Sequence, residues 1–160
     1  MRNRALFTLT VVLCPLVIPP HQVVAQQAPE AQRLGWFVGE WVYEDLDGGA
    51  ECEWLGELIV DCHSSWINSA GDSLQLRSLI RYDRDAQVYT AYRFYSGGYA
   101  DSGLGWVDGD TWKFVYEGPE GARYRATVLA SQDTWAYEWH RSVRGGPWEP
   151  RSTGALKRVR

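Results

Sequence analysis

The sequence is short of the side chains that most often carry chemistry: among 160 residues there are one methionine, three cysteines and three histidines. Gly-x-Ser-x-Gly, His-Glu-x-x-His, the Gly-rich phosphate loop and any zinc-type Cys/His cluster are missing, so no nucleophile, metalloprotease or nucleotide motif can be read from spacing. Cys-x-x-Cys is absent too, which removes the usual redox-active arrangement. Lys and Arg form no cluster and are outnumbered, 16 against 20 Asp and Glu. That balance leaves no electrostatic footprint for nucleic acid and no basic patch for an anionic membrane. No apolar run reaches the roughly 20 residues that span a bilayer. Low-complexity linkers and solenoid-type repeats are also absent.

What the chain does have begins with a processing signal. Arg2 and Arg4 precede a 14-residue apolar run, ALFTLTVVLCPLVI, and Val23 and Ala25 occupy the −3 and −1 positions of a signal-peptidase site. Residues 1–25 are therefore expected to be a cleaved secretory signal, with cleavage after about Ala25 and a secreted or periplasmic destination. No transmembrane segment is expected after cleavage. Leu13 is too large for the lipoprotein site that Cys14 would need. Removal of Arg2 and Arg4 lowers Lys+Arg from 16 to 14, giving the remaining one-domain chain, residues 28–160 in its folded part, a net charge of about −6.

Two cysteines then remain, Cys52 and Cys62. In an oxidising compartment a lone pair is most simply one disulfide. The stretch AECEWLGELIVDCHSSW reads as two strands about a turn near Gly56 and Glu57. Pairing the cysteines sets Leu55 opposite Ile59 across a three-residue loop. Closing so short a loop contributes about 2–3 kcal/mol through the unfolded state.

The periodicity is that of strands. One helix is expected over 28–38, where Pro29 and Glu30 suit a first turn, Leu34, Phe37 and Val38 share a face, and Gly39 ends it. After it come ten strand candidates: 40–45, 50–55, 59–66, 73–82, 88–95, 99–107, 111–117, 122–130, 134–142 and 148–159. Turn chemistry such as NSAGD, SGG, VDGDT and RGGP separates them. Ten strands with no helix between them predict an all-β antiparallel up-and-down meander, packed as a sandwich or closed as a barrel. Leu74, Leu76, Ile80 and Tyr82 alternate with Gln75, Arg77 and Arg81, so register is strongly specified. Which face looks inward is left open by the pattern, because ligand-binding barrels carry polar groups inside.

The aromatic stretch LGWFVGEW takes on meaning here. A short helix followed by Gly-x-Trp at the head of an all-β meander resembles the first strand of calycin-type barrels, the group of lipocalins, fatty-acid-binding proteins and nitrobindins. The order of CEWLGELIVDC, IRYDRDAQVYTAYRFYSGG, GLGWVDGDTWKF and WHRSVRGGPWEPRSTGALKRVR resembles, over nearly the whole of the exported chain, a family of small exported bacterial proteins of unassigned function with a lipocalin-like barrel. The resemblance implies a closed barrel. It also implies that Trp41, following Gly39, plugs one end beneath a basic residue of the last strand, for which Arg158 is the candidate. A guanidinium stacked on an indole contributes about 0.5–2 kcal/mol. The haem-binding branch has an axial histidine near the C-terminus; no histidine follows His140, so haem is not expected, nor any other cofactor.

Candidate sites follow from alternation. The nine tryptophans and nine tyrosines either fill the barrel or wall a cavity for a small apolar or amphipathic molecule. Tyr92, Phe94, Trp135, Tyr137 and Trp139 are the candidate walls. Arg77, Arg81, Arg93, Arg123 and Arg125 are either solvated outer-face charges or, in one or two cases, inward clamps for a carboxylate. Arg93 cannot share a face with Tyr92 and Phe94, so only one of those two ideas can hold for that strand. Asp61-x-His63 and Glu138-x-His140 each set a carboxylate beside an imidazole, and only convergence of all four would make a metal or acid/base site. Three readings result: a ligand-binding barrel, a filled barrel serving as an envelope interaction module, and an enzyme or metal protein built on those four residues.

Overall fold

The computed structural model describes residues 29–159; the expected signal segment lies outside the described residues. A one-turn helix, α1 (Pro29–Arg33), runs into a 3-10 turn (Leu34–Trp36). Ten strands follow: β1 (Gly39–Tyr43), β2 (Gly48–Leu55), β3 (Ile59–Ile67), β4 (Ser73–Asp83), β5 (Val88–Tyr95), β6 (Ala100–Asp108), β7 (Thr111–Glu117), β8 (Ala122–Ala130), β9 (Thr134–Val143) and β10 (Glu149–Arg158). Each strand pairs antiparallel with its neighbours in sequence, and β1 pairs with β10 to close the barrel. Closure leaves no sheet edge unpaired.

The helix is shorter than the sequence pattern predicts. Gly35 falls in what would be its second turn, where it disfavours an α-helix. There the chain tightens instead, with Phe37 and Val38 donating to the carbonyls of Leu34 and Gly35 at 3.0 and 3.2 Å. Gly39 does not cap this segment. It has φ 138° and is the first residue of β1, a conformation that L side chains rarely adopt. The strands match expectation closely, β2 alone beginning two residues early at Gly48.

The hairpin of β2 and β3 has Cys52 opposite Cys62 and Leu55 opposite Ile59, and the two cysteines form a disulfide. Both cysteines belong to the core, with Val60, Leu34 and Phe37. Phe37 meets Trp112 and Trp135 edge-on at 4.7 and 4.8 Å between centroids. Trp135 in turn stacks on Trp41 at 4.4 Å. This block plugs the α1 end of the barrel.

Arg158 fastens the plug. It stands opposite Trp41 across β1 and β10, with its guanidinium carbon 4.2 Å from the indole centroid. Its nitrogens donate to the carbonyls of Val38, Trp36 and Gln132. Trp41 Nε1 donates to the Phe37 carbonyl at 2.9 Å.

Inward glycines make room for inward rings. On β6 a Cβ at Gly105 would lie 2.4 Å from Phe114 Cδ1, and one at Gly103 2.5 Å from Tyr116 Cδ1. The rings of β7 therefore lie flat across β6, and Trp112, Phe114 and Tyr116 stack in series. Side-chain volume is shared between facing strands, as close packing requires.

Candidate functional site: an aromatic cavity around Arg93 and Asp101

Above the plug the barrel is not filled. A cavity of about 560 Å³ runs from Phe37 to Leu46, Tyr99 and Arg151 at the opposite rim. That volume lies within the general range for small-molecule pockets, about 300–1,000 Å³. Its walls are mainly rings, and its charged lining consists of Arg93, Asp101 and the rim residue Arg151.

Strand alternation decides which candidates reach it. Trp135, Tyr137 and Trp139 all line the cavity. Tyr92 and Phe94 do not: they are 44% and 48% exposed on the outer face of β5. Arg93 takes the inward position between them, and its partner stands directly across the β5–β6 hairpin, where Arg93 is opposite Asp101. A cation could not be buried at that position alone.

The pair is the polar centre of the cavity. Arg93 Nε and Nη2 donate to Asp101 Oδ1 and Oδ2 at 2.7 and 2.5 Å. Tyr99 Oη donates to Oδ2 at 3.0 Å, so three donors converge on this carboxylate. The guanidinium carbon lies 3.4 Å from the Tyr116 ring centroid, 4.7 Å from that of Trp139 and 5.6 Å from that of Tyr95. Burial disfavours charge on Arg93, but the Asp101 hydrogen bonds and the Tyr116 and Tyr95 phenols outweigh it and hold its pKa above the ordinary value. Tyr95 stacks on Tyr99 at 5.0 Å. Burial pushes the phenols of Tyr43, Tyr99 and Tyr116 up to about 12, so they stay protonated and can donate at neutral pH.

Arg77, Arg81, Arg123 and Arg125 are on the outside. Arg77 grips Asp61 with Nε 3.1 Å from Oδ1 and Nη2 2.7 Å from Oδ2. Arg81 pairs with Asp83 and Arg123 with Glu117, while Arg125 lies 5.1 Å from the Trp148 ring.

The two acid–histidine elements form locally and do not converge. His63 Nε2 is 3.4 Å from Asp61, and His140 Nε2 is 3.1 Å from Glu138. Each pair occupies the wall face opposite to its strand's cavity-lining residues, and β2, β1 and β10 separate β3 from β9. Among the described residues no group of three His, Cys, Asp or Glu side chains is placed to hold a metal ion. The geometry needed for a shared metal or acid/base site is therefore not built.

Sequence reasoning missed Asp101, Tyr99 and Tyr116. A signal existed: if Tyr95 pairs with Tyr99 about the SGG turn, Arg93 must face Asp101. Tyr95 N does donate to the Tyr99 carbonyl at 2.8 Å.

No family model matches the chain, and no curated protein sequence matches it. Among solved structures the chain is similar to the crystal structure of Rv2717c from M. tuberculosis, with a TM-score of 0.61 at 15% identity, over 84% of this chain and 100% of that one. At this identity the likeness concerns the fold alone: this chain is a ten-strand antiparallel barrel with a Mycobacterium protein as a structural neighbour.

Proposed function

We propose that this protein is an exported, calycin-like barrel that binds a small apolar or amphipathic molecule non-covalently. The observation that supports it is the 560 Å³ cavity walled by rings around a single buried ion pair. Apolar walls with a few convergent polar groups are the general character of small-molecule sites. Export accords with the disulfide, since such bonds persist in oxidising compartments. The test is native mass spectrometry of the oxidised protein purified from its own envelope, beside a denatured sample. A mass excess that disappears on denaturation is expected. Absence of any excess, with no uptake from a panel of lipids and aromatic compounds, would overturn the reading.

One observation favours the rival module. Tyr92, Phe94, Leu104 and Trp106 are large and exposed and form a diagonal stripe along the outer face of β5 and β6, with Tyr92 opposite Ser102, Phe94 opposite Ala100 and Leu104 opposite Thr90. If that patch is the working surface, serine or lysine substitutions there abolish association with a partner, whereas substitutions in the cavity leave it unchanged.

A further inference from the structure

Barrels that hold fatty acids suggest an arginine waiting for a carboxylate, and Arg93 is the inward arginine of this cavity. Its chemistry is different, because its countercharge is already in place. Asp101 is bound side-on through Nε and Nη2, and the two side chains are only 6% and 1% exposed. A ligand carboxylate would either displace Asp101, leaving a buried anion with no cation, or sit beside it as a second anion on one guanidinium. Both arrangements are penalised in a water-poor site. A cationic ligand fares no better, since Arg93 already occupies the Tyr116 and Trp139 faces on which a cation would settle. Arg151, at the rim, is exposed, and its field is screened.

What remains on offer is specific. Nη1 is the guanidinium nitrogen that Asp101 does not engage. The cavity around the guanidinium is lined by protonated phenols and by the rings of Tyr95 and Tyr99. We infer that the molecule taken up here is uncharged and flat, a conjugated or aromatic compound carrying a carbonyl-type acceptor that meets Arg93 Nη1. This rests on the reading of the barrel as a binding protein and narrows it. Asp101 is then the specificity-determining residue: it cancels the charge of Arg93, so the arginine acts as a neutral-ligand donor and not as an anion trap.

Three shape-matched probes test this by titration calorimetry on the disulfide-intact protein: acetylnaphthalene, naphthoate and naphthylmethylammonium. The ketone is expected to bind at one site, with the carboxylate and the ammonium weaker by about tenfold or more, as charge mismatch in a buried site dictates. Asp101→Asn keeps the side-chain size and removes the countercharge, so it is expected to reverse the order, naphthoate becoming the tightest. Near-ultraviolet circular dichroism checks that the variant is folded; if it is not, the order measured on the unaltered protein decides alone. Naphthoate or the ammonium binding as tightly as the ketone would overturn the inference and leave the binding-protein reading standing. A preference for the ketone unchanged in folded Asp101→Asn would also overturn it, because the selectivity would not come from the pair. No saturable binding of any probe would overturn the inference alone, because the binding-protein reading stands or falls on the mass-spectrometric test.

Discussion

Arg93 and Asp101 face each other across β5 and β6 and are joined side-on inside the barrel, with their side chains almost wholly out of water. Removing one partner strands the other. Asp101→Ala is expected to destabilise the fold by about 3–5 kcal/mol, and Arg93→Leu by a similar amount. Replacing both with apolar residues of similar volume should recover most of that loss. Urea unfolding of the two single variants and the double variant, all oxidised, measures the coupling; additive losses would show that the pair does not act as a unit.

The inward glycines of β6 make a second prediction. Gly105→Ala sets a methyl against Phe114, and Gly103→Ala sets one against Tyr116, at separations no pair of carbons tolerates. Each should cost about 1–3 kcal/mol by overpacking. Gly103→Ala should also disturb Arg93, which lies on the same Tyr116 ring. Gly97 in the β5–β6 turn has open space around its Cβ position, so Gly97→Ala is the near-neutral control. Equal melting temperatures for all three would contradict this packing.

Arg158 holds the plug through a fork of donors and a stacked face at once. Arg158→Lys keeps the charge but loses the planar fork to the Trp36, Val38 and Gln132 carbonyls. It should lose about 1–3 kcal/mol, close to the loss in Arg158→Ala. Quenching of tryptophan fluorescence should rise in both, as water reaches Trp41 and Trp135. Full rescue by lysine would mean that charge alone matters there.

Stability should fall at both ends of the pH scale, for different groups. Hydrogen bonding by Arg77 holds the Asp61 carboxyl below the usual range despite its burial. A lowered carboxyl pKa stabilises the fold above the unfolded value, near pH 4, and that contribution is lost as pH falls through the folded value. Asp61→Asn should therefore flatten the acid limb of a stability–pH curve. The Tyr116 phenol is raised to about 12 by burial, with Arg93 opposing and Asp101 adding. A raised pKa gives stability that is complete below the unfolded value near 10 and is lost as pH rises from there to the folded value. Tyr116→Phe should keep its stability across that alkaline window better than the unaltered protein; an unchanged alkaline limb would contradict the assignment.

Much of the architecture is written locally. Ten strands, their turns, the Cys52–Cys62 hairpin and the pairing of Trp41 with Arg158 follow from alternation, turn residues and a resemblance carried by short motifs. The strands, turns and hairpin are properties of neighbours in sequence, so period and turn length suffice to place them; the pairing of Trp41 with Arg158 joins the first and last strands and came from the resemblance alone. The register that joins Arg93 to Asp101 was within reach by the same logic, since the two are equidistant from the SGG turn.

The direction of each strand's faces was decided only by closure. Alternation alone gives two equivalent answers for β5: rings inward with Arg93 outside, or the reverse. Burial of Tyr89 and Ala91 against Trp112 and the rest of the core selects the second, and Tyr92 and Phe94 are turned out by the same choice. The separation of Asp61 and His63 from Glu138 and His140 is likewise a matter of where β3 and β9 fall around the closed wall. By itself the sequence determined the strands, the hairpins and the rings available; the tertiary structure decided which rings face the cavity and that Arg93 faces it with them, because only a closed barrel distinguishes an inside from an outside.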